Sequence, residues 1–372
     1  MLAQRRNAYK ASEGRVKIGY NDQAAQLPAM KQFFPFLGLL PSQTLQQSLM
    51  DLDRAFVNFF EGRAKYPIFK RRGRGDPGLR WPQGVDINGR CLWLPKLGWV
   101  KARFSNRLVG TIKSATIKFD GLHWYAAVLM EEEVGAPRKN EGRDLGLDAG
   151  VVESLAFSDG RRYGLPVATA EEERRHRLLA RRISRCQLGS VRHGRAKHRL
   201  LVFRRRIANR VNDARHKLTS TLAKNHGRIF CESLAFGSLT RSARGSVETP
   251  GRNVAVKAAL NRSLLEQGHA ETFRQLGYKL TWLGGELHKV PAAFTSQRCP
   301  ECGHTCAENR SSRDRFQCVA CGHAGHADNV AARNILAAGQ AATARGGSRE
   351  PVKREPTRSR RFPRRSAGIP AL

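Results

Sequence analysis

The chain has 372 residues, of which 40% are hydrophobic, and it carries 66 Lys and Arg against 31 Asp and Glu, a formal charge of +35. That much charge repels itself unless a polyanion neutralises it, and the bases are spread along the chain rather than gathered beside an apolar segment, which selects nucleic acid over a membrane surface. No run approaches the ~20 apolar residues that cross a bilayer, the first residues lack the apolar core of a secretory signal, and Cys91, Cys186, Cys231 and Cys306 are scattered as in a reducing compartment. The expected location is the bacterial cytoplasm, on the nucleoid.

Residues 1–62 read as helical. Pro41-Ser42 offers a cap, and Leu45, Leu49, Leu52, Phe56 and Phe59 recur at helical steps on one face. The basic passage Lys65 to Gly78 satisfies G-x-G-x-x-G, yet no strand precedes it and Pro77 stands where a helix should open. It is therefore not a dinucleotide loop, but either a phosphate-contacting loop or a solvated linker. From 81 to 133 the pattern is that of strands. Asn88-Gly89 and Asp120-Gly121 read as two-residue hairpin turns between β-branched and aromatic flanks, so this stretch is expected to form a small antiparallel barrel or sheet.

A second domain opens near 141. Leu145 to Ala149 reads as a buried strand that carries a carboxylate, Asp148, and a hairpin follows. Residues 174–228 hold 18 Lys or Arg and one acid, Asp213, while Phe203, Ile207, Val211, Ala214, Leu218 and Leu222 keep helical spacing. This predicts two helices, about 171–187 and 195–225, turned at Gly189 to Gly194, with a basic outer face. Arg228 to Glu232 is a second strand closing on an acid. A helix over 252–275, strands at Lys279 to Leu283 and Leu287 to Val290, and a short helix from Asp328 complete the domain. Residues 341–372, with nine Lys or Arg and four Pro, read as a disordered basic tail.

The strongest local signal is Cys299-x-x-Cys302 and Cys318-x-x-Cys321, two pairs with 15 residues between them and Gly303 and Gly322 just after each. Two knuckles of this spacing aim four thiolates at one tetrahedral centre, which predicts a structural Zn²⁺ ribbon over 299–321 rather than a redox pair. The three acids Asp148, Glu232 and Asp328 form the other constellation. Singly they are unremarkable, and Asp328 would serve as a helix cap. Together they suit phosphodiester hydrolysis, in which carboxylates hold two divalent cations roughly 4 Å apart, and oxygen ligands select Mg²⁺ or Mn²⁺.

Leu145 to Gly150, Phe230 to Glu232, Leu260 to Ser263, Gly284 to Leu287, Phe294 to Cys299, the ribbon and Asp328 to Leu336 follow one another as in the TnpB family, which this chain resembles over nearly its whole length. That family comprises transposon-encoded RNA-guided DNA endonucleases related to compact type V CRISPR effectors. The resemblance implies an α+β multidomain protein: an N-terminal helical recognition region (1–62), a wedge-type barrel (63–140), and an RNase H-like RuvC nuclease domain (141–298 and 322–340) with the zinc ribbon inserted before its last helix. It also implies that Asp148, Glu232 and Asp328 are the catalytic metal ligands, that Cys299, Cys302, Cys318 and Cys321 bind zinc, and that the partners are a guide RNA from the transposon end and target DNA. Two departures stand out: Glu153 lies where many relatives have a lysine soon after the D-x-G, and the first barrel strand and some recognition helices are expected upstream of Arg5-Arg6, as if the reading frame began late. An RNA-guided repressor that binds with little or no cutting, a truncated and decayed copy, or a junction resolvase working without RNA, would be the alternatives.

Overall fold

The computed structural model describes residues 1–69, 78–104, 108–246, 248–291 and 294–344. Most of the basic glycine-rich passage, residues 70–77, and the tail from 345 onward lie outside the described residues. The chain divides into two compact units, one of residues 1–135 with 176–204 and the other of 136–175 with 205–372. No described helix is long and apolar enough to cross a membrane.

The first unit begins with helices α1 (Leu2–Ala11), α2 (Tyr20–Ala25), α3 (Leu27–Phe33) and α4 (Ser42–Phe60), with a 3₁₀ turn at Pro35–Leu39. Its interior is partly polar. Buried Arg5 donates through Nε to Gln23 Oε1 at 2.9 Å and through Nη1 to Asp53 Oδ1 at 2.9 Å, and it lies over the Phe56 ring. Ser42 does not cap α4, because it is already the first helical residue and its Oγ instead accepts from Lys31 Nζ at 2.6 Å.

The strands that follow form two open sheets rather than a barrel. Strands β1 (Gly78–Trp81), β5 (Thr111–Phe119) and β6 (Trp124–Glu131) make an antiparallel sheet in the order β1-β5-β6, and β2 (Asp86–Asn88), β3 (Cys91–Leu94) and β4 (Gly98–Lys101) make a β2-β3-β4 meander. Trp81, Leu92, Leu94 and Ala115 form the core these sheets share. With three short strands each, neither sheet has the strand number to close on itself. The Asn88-Gly89 hairpin does have a two-residue turn, but one position later than expected: Asn88 is the last paired residue of β2, opposite Cys91, and the turn is Gly89-Arg90 with Gly89 at φ +55. Asp120-Gly121 is not: Phe119 pairs with Trp124, leaving a four-residue turn in which Asp120 Oδ1 accepts from the N–H groups of Leu122 and His123.

The second unit is built on the sheet β11-β10-β7-β8-β9, comprising β7 (Leu145–Ala149), β8 (Leu155–Phe157), β9 (Arg162–Tyr163), β10 (Arg228–Glu232) and β11 (Glu286–Val290). β7, β10 and β11 are parallel and β8 and β9 antiparallel. Between them in sequence run α5 (Ala170–Ser184) and α6 (Val191–Asn225), whose residues 176–204 belong to the first unit, and then α7 (Phe236–Leu239), α8 (Val254–Gln267) and α9 (His269–Trp282); after β11 come the hairpin β12 (Arg315–Gln317) and β13 (Ala324–His326) and helix α10 (Ala327–Ala344). Successive strand side chains face opposite ways, so β7 and β10 each serve two cores. Leu145, Leu147, Ile229 and Cys231 face Leu222, Phe273, Leu276 and Leu280 of α6 and α9. On the other face Phe230 packs with Val290, Ile335 and Leu336, so α10 lies there. The helix comes so close that a Cβ on Gly146 would stand 2.1 Å from Ala332 O.

Three sequence expectations fail between β9 and β11. Gly194 lies inside α6, which begins at Val191, so the turn is confined to residues 185–190. The helix drawn over 252–275 is two helices, broken at Gly268 with φ +60. Lys279 to Leu283, whose alternation resembles a strand, belongs to α9 up to Trp282, because Phe273, Leu276 and Leu280 bury at helical spacing.

Candidate active site and metal centre

Asp148 and Glu232 lie near the carboxyl ends of adjacent parallel strands, the edge where open α/β sheets place their sites. Registered pairs Phe230 with Gly146 and Cys231 with Leu147 put Glu232 one step further, alongside Asp148. By strand alternation both carboxylates face the side occupied by α10, whose first turn carries Asp328. The structure thus brings together three acids separated by up to 180 positions in sequence.

Their electrostatics are those of an under-compensated cluster. Burial, with the nearby charges of Glu232 and Asp328, pushes the Asp148 carboxyl up to about 7. Burial also raises Glu232, opposed by a hydrogen bond in which Thr295 Oγ1 donates to its Oε1 at 2.6 Å. Asp328 has Arg310 Nη2 at 3.8 Å from Oδ1. It is not the cap of α10, since the helix begins at Ala327, and its own N–H points to His326 Nδ1 at 3.4 Å. The three carboxylates are near enough to shift Asp148, yet among the described residues they are not a set whose ligand atoms all lie within 4.8 Å of one another. Half-buried acids, with Asp148 raised by burial and by the charges of the other two and with little positive charge beside them, are donors that fit divalent cations.

The four cysteines are such a set. All four Sγ atoms lie within 4.8 Å of one another, with Cys299 to Cys321 and Cys302 to Cys318 both at 3.6 Å. Ligands at ~2.3 Å in a tetrahedron stand about 3.8 Å apart, so the donor set and its size both fit one zinc ion. The two knuckles repeat one another: Cys299 N bonds to His304 O and Cys318 N to His323 O, both at 2.8 Å, and Gly303 and Gly322 take φ +76 and +75. Buried Asn309 ties them together, donating to Gln297 O and His304 O while its Oδ1 accepts from Val319 N.

Sequence reasoning named the acids and thiolates but not the groups that hold them. Asn334 of α10, buried, donates to Thr295 O and Arg298 O, both at 2.7 Å, so the helix bearing Asp328 also fixes the turn that supplies Thr295 to Glu232 and leads into the first knuckle. Thr295 stands 63 residues from Glu232, and no local pattern announces the pair. The motif Phe294 to Cys299 was the one available signal.

An α+β chain with acids at the ends of parallel strands and a four-cysteine centre between β11 and α10 matches two family profiles. Residues 127–243 match the family described as "Probable transposase" of the OrfB/IS605 type, and residues 269–335 match "Cas12f1-like, TNB domain". The chain is 43% identical to the Escherichia coli K12 protein named "Putative RNA-guided DNA endonuclease InsQ", over 85% of this chain and 80% of that one. A Streptomyces pristinaespiralis protein named for the same activity is 28% identical over 98% of this chain and 91% of its own. Among solved structures, Cas12f1 in a complex with single-guide RNA and target DNA superposes with a TM-score of 0.50 at 14% identity, covering 90% of this chain and 78% of that one, a likeness of fold. The chain belongs to the TnpB family.

Proposed function

We propose that this protein is a transposon-associated RNA-guided DNA endonuclease that cleaves with Mg²⁺ or Mn²⁺ held by Asp148, Glu232 and Asp328. The observation that carries the catalytic assignment is the convergence of those carboxylates from β7, β10 and α10, where burial and then the charges of Glu232 and Asp328 raise Asp148 to about 7. The strand order, with β7 central and a parallel β10 and β11 on one side and an antiparallel β8 and β9 on the other, supports an RNase H-like, RuvC-type domain. Cations bound there would lower the pKa of an attacking water and offset charge on the leaving oxygen. The chain's own contribution is positional. Thr295 orients Glu232 by its hydrogen bond, Asn334 holds Thr295, and Arg310 sets a positive charge beside Asp328. Asp148 must give up its proton to serve as a ligand. The zinc held by Cys299, Cys302, Cys318 and Cys321 is structural, since all four positions are protein thiolates and none is left for substrate.

Sequence specificity is assigned to a guide RNA transcribed from the transposon end, because a chain of charge +35 has backbone affinity without a recognisable base-reading module. The test expresses the gene with its flanking DNA, sequences the RNA that copurifies, and challenges the complex with plasmids matching or not matching that RNA. Mg²⁺-dependent cutting of matched plasmids is expected. Asp148→Ala, Glu232→Ala and Asp328→Ala should each abolish it while RNA and target binding stay nearly unchanged. Equal cutting after RNase treatment would overturn the guided reading, and binding without cutting by the parent would leave an RNA-guided repressor.

A further inference from the structure

We infer that the corner Gln267-Gly268-His269 between α8 and α9 is a positioning clamp for the active-site carboxylates, acting on the loop Gly150 to Ser154 that leaves Asp148; the inference rests on the nuclease reading of that site. His269 and Gln267 are 2% and 6% exposed. His269 Nε2 lies 2.8 Å from Gly150 O. A carbonyl only accepts, so Nε2 carries the hydrogen and Nδ1 is a bare lone pair. That Nδ1 is buried without a hydrogen-bond partner. Gln267 holds the next residues: its Nε2 donates to Val151 O at 3.0 Å, and its Oε1 accepts from Ser154 Oγ, which itself accepts from Leu165 N at 2.7 Å.

The geometry depends on Gly268. Its φ of +60 reverses the chain so that residues 267 and 269 reach the same loop, and a Cβ there would stand 2.7 Å from Arg215 Nη2. Arg215 secures the corner from below, donating through Nη2 to Gln267 O at 3.1 Å and through Nε to Thr272 Oγ1 at 3.2 Å. The upper face of the imidazole stacks on Phe236, ring centroids 6.0 Å apart and planes 22° from parallel. Phe236 lies four residues past Glu232. One ring therefore touches the segment leaving Asp148 and the segment leaving Glu232.

An ordinary core position here would hold an apolar ring, since a buried unsatisfied nitrogen is costly. The bond to Gly150 O is what the histidine adds. Burial, with Arg215 close by, holds His269 below its ordinary pKa, so the ring stays neutral and keeps its donor on Nε2.

The experiment compares His269→Phe, which keeps the ring and its stacking but removes the donor, with His269→Gln, which returns an N–H near the position of Nε2. Purified full-length protein with its copurified RNA is read by hydrogen exchange over peptide 148–156, by Mn²⁺ binding in electron paramagnetic resonance, and by single-turnover cleavage. Loss of the buried bond in His269→Phe should speed exchange at 150–154 roughly tenfold or more and raise the Mn²⁺ concentration for half-saturation about tenfold. Exchange at 228–232 should stay unchanged, and His269→Gln should recover most of both effects. Parental exchange and Mn²⁺ binding in His269→Phe would overturn the clamp, as would a His269→Gln protein equally impaired with 228–232 still protected. Should His269→Phe lose protection across 228–232 as well, Gln267→Met, similar in shape but without either bond, is judged by the same criteria. Asp148→Ala run in parallel separates the readings: if that variant cuts like the parent, the nuclease assignment falls, while exchange over 148–156 still decides the clamp.

Discussion

Asp148 concentrates the tension between stability and function in one side chain. Its carboxyl is raised from the ordinary aspartate value to about 7, so between about pH 4 and pH 7 the folded chain binds a proton that the unfolded chain does not. Stability of the metal-free protein is therefore expected to fall as pH rises through that window, by on the order of 4 kcal/mol from this group at most. Glu232, also raised, acts in the same direction. Asp148→Asn removes the charge and should make the metal-free protein more stable than the parent at pH 8, by about 1–3 kcal/mol, while abolishing cleavage. Urea melts at pH 5 and pH 8 check both statements, and a destabilised Asp148→Asn at pH 8 would contradict the repulsion on which the site assignment leans. Because proton and cation compete for the same oxygens, the Mg²⁺ concentration that half-restores thermal stability should be higher at pH 6 than at pH 8.

Helix α10 is the element on which the site depends most. It presents Asp328 in its first turn, holds the Thr295 turn through Asn334, and packs Ile335 and Leu336 against Phe230 of β10. Its closeness to the sheet requires Gly146, where an added methyl would meet the rigid backbone oxygen of Ala332 rather than a side chain that can swing away. Gly146→Ala is expected to cost about 2–3 kcal/mol and to lower cleavage by displacing Asp328 from Asp148, with the loss visible in denaturant melts. The ribbon is held differently. Its core is little more than Cys299, Phe316, Cys318, Ala327 and Val330, too small to fold by burial alone, so a zinc ion bound there would contribute on the order of 10 kcal/mol locally. Cys302→Ser or chelation should unfold residues 299–321 while β7 and β10 keep their exchange protection. Metal analysis giving no zinc in a soluble, active preparation would end that assignment.

At the scale of the whole molecule, charge is the governing property. The 66 basic residues lie in both compact units, with the stretch 174–228 almost free of acids. Guide RNA affinity should therefore fall steeply with salt, log K declining by about 0.7 per phosphate contact against log salt, in a filter-binding series from 50 to 500 mM KCl. A shallow dependence would mean that base contacts or shape, not phosphates, dominate.

The ordered motifs were sufficient by themselves to place the chain in its family, and with the composition they were enough to propose its chemistry. Charge balance is a sum over residues, the thiolate spacing is set within two short turns, and strand alternation is local, so the excess of positive charge, the two cysteine knuckles and the strand ends bearing Asp148 and Glu232 were all legible. What the sequence left undecided were features fixed by residues far apart in the chain. Lys279 to Leu283 has the alternation of a strand, and only the burial of Phe273, Leu276 and Leu280 against β7 and β10 makes it helix. The expected barrel is two open sheets because closure depends on strand number and shear, which no hairpin signal carries. Thr295 on Glu232, Asn334 on Thr295, and His269 on Gly150 are pairings across 63, 39 and 119 residues. Each is selected by tertiary distance, since a side-chain hydrogen bond needs a partner within about 3 Å, and only the folded sheet with its helices supplies that neighbour.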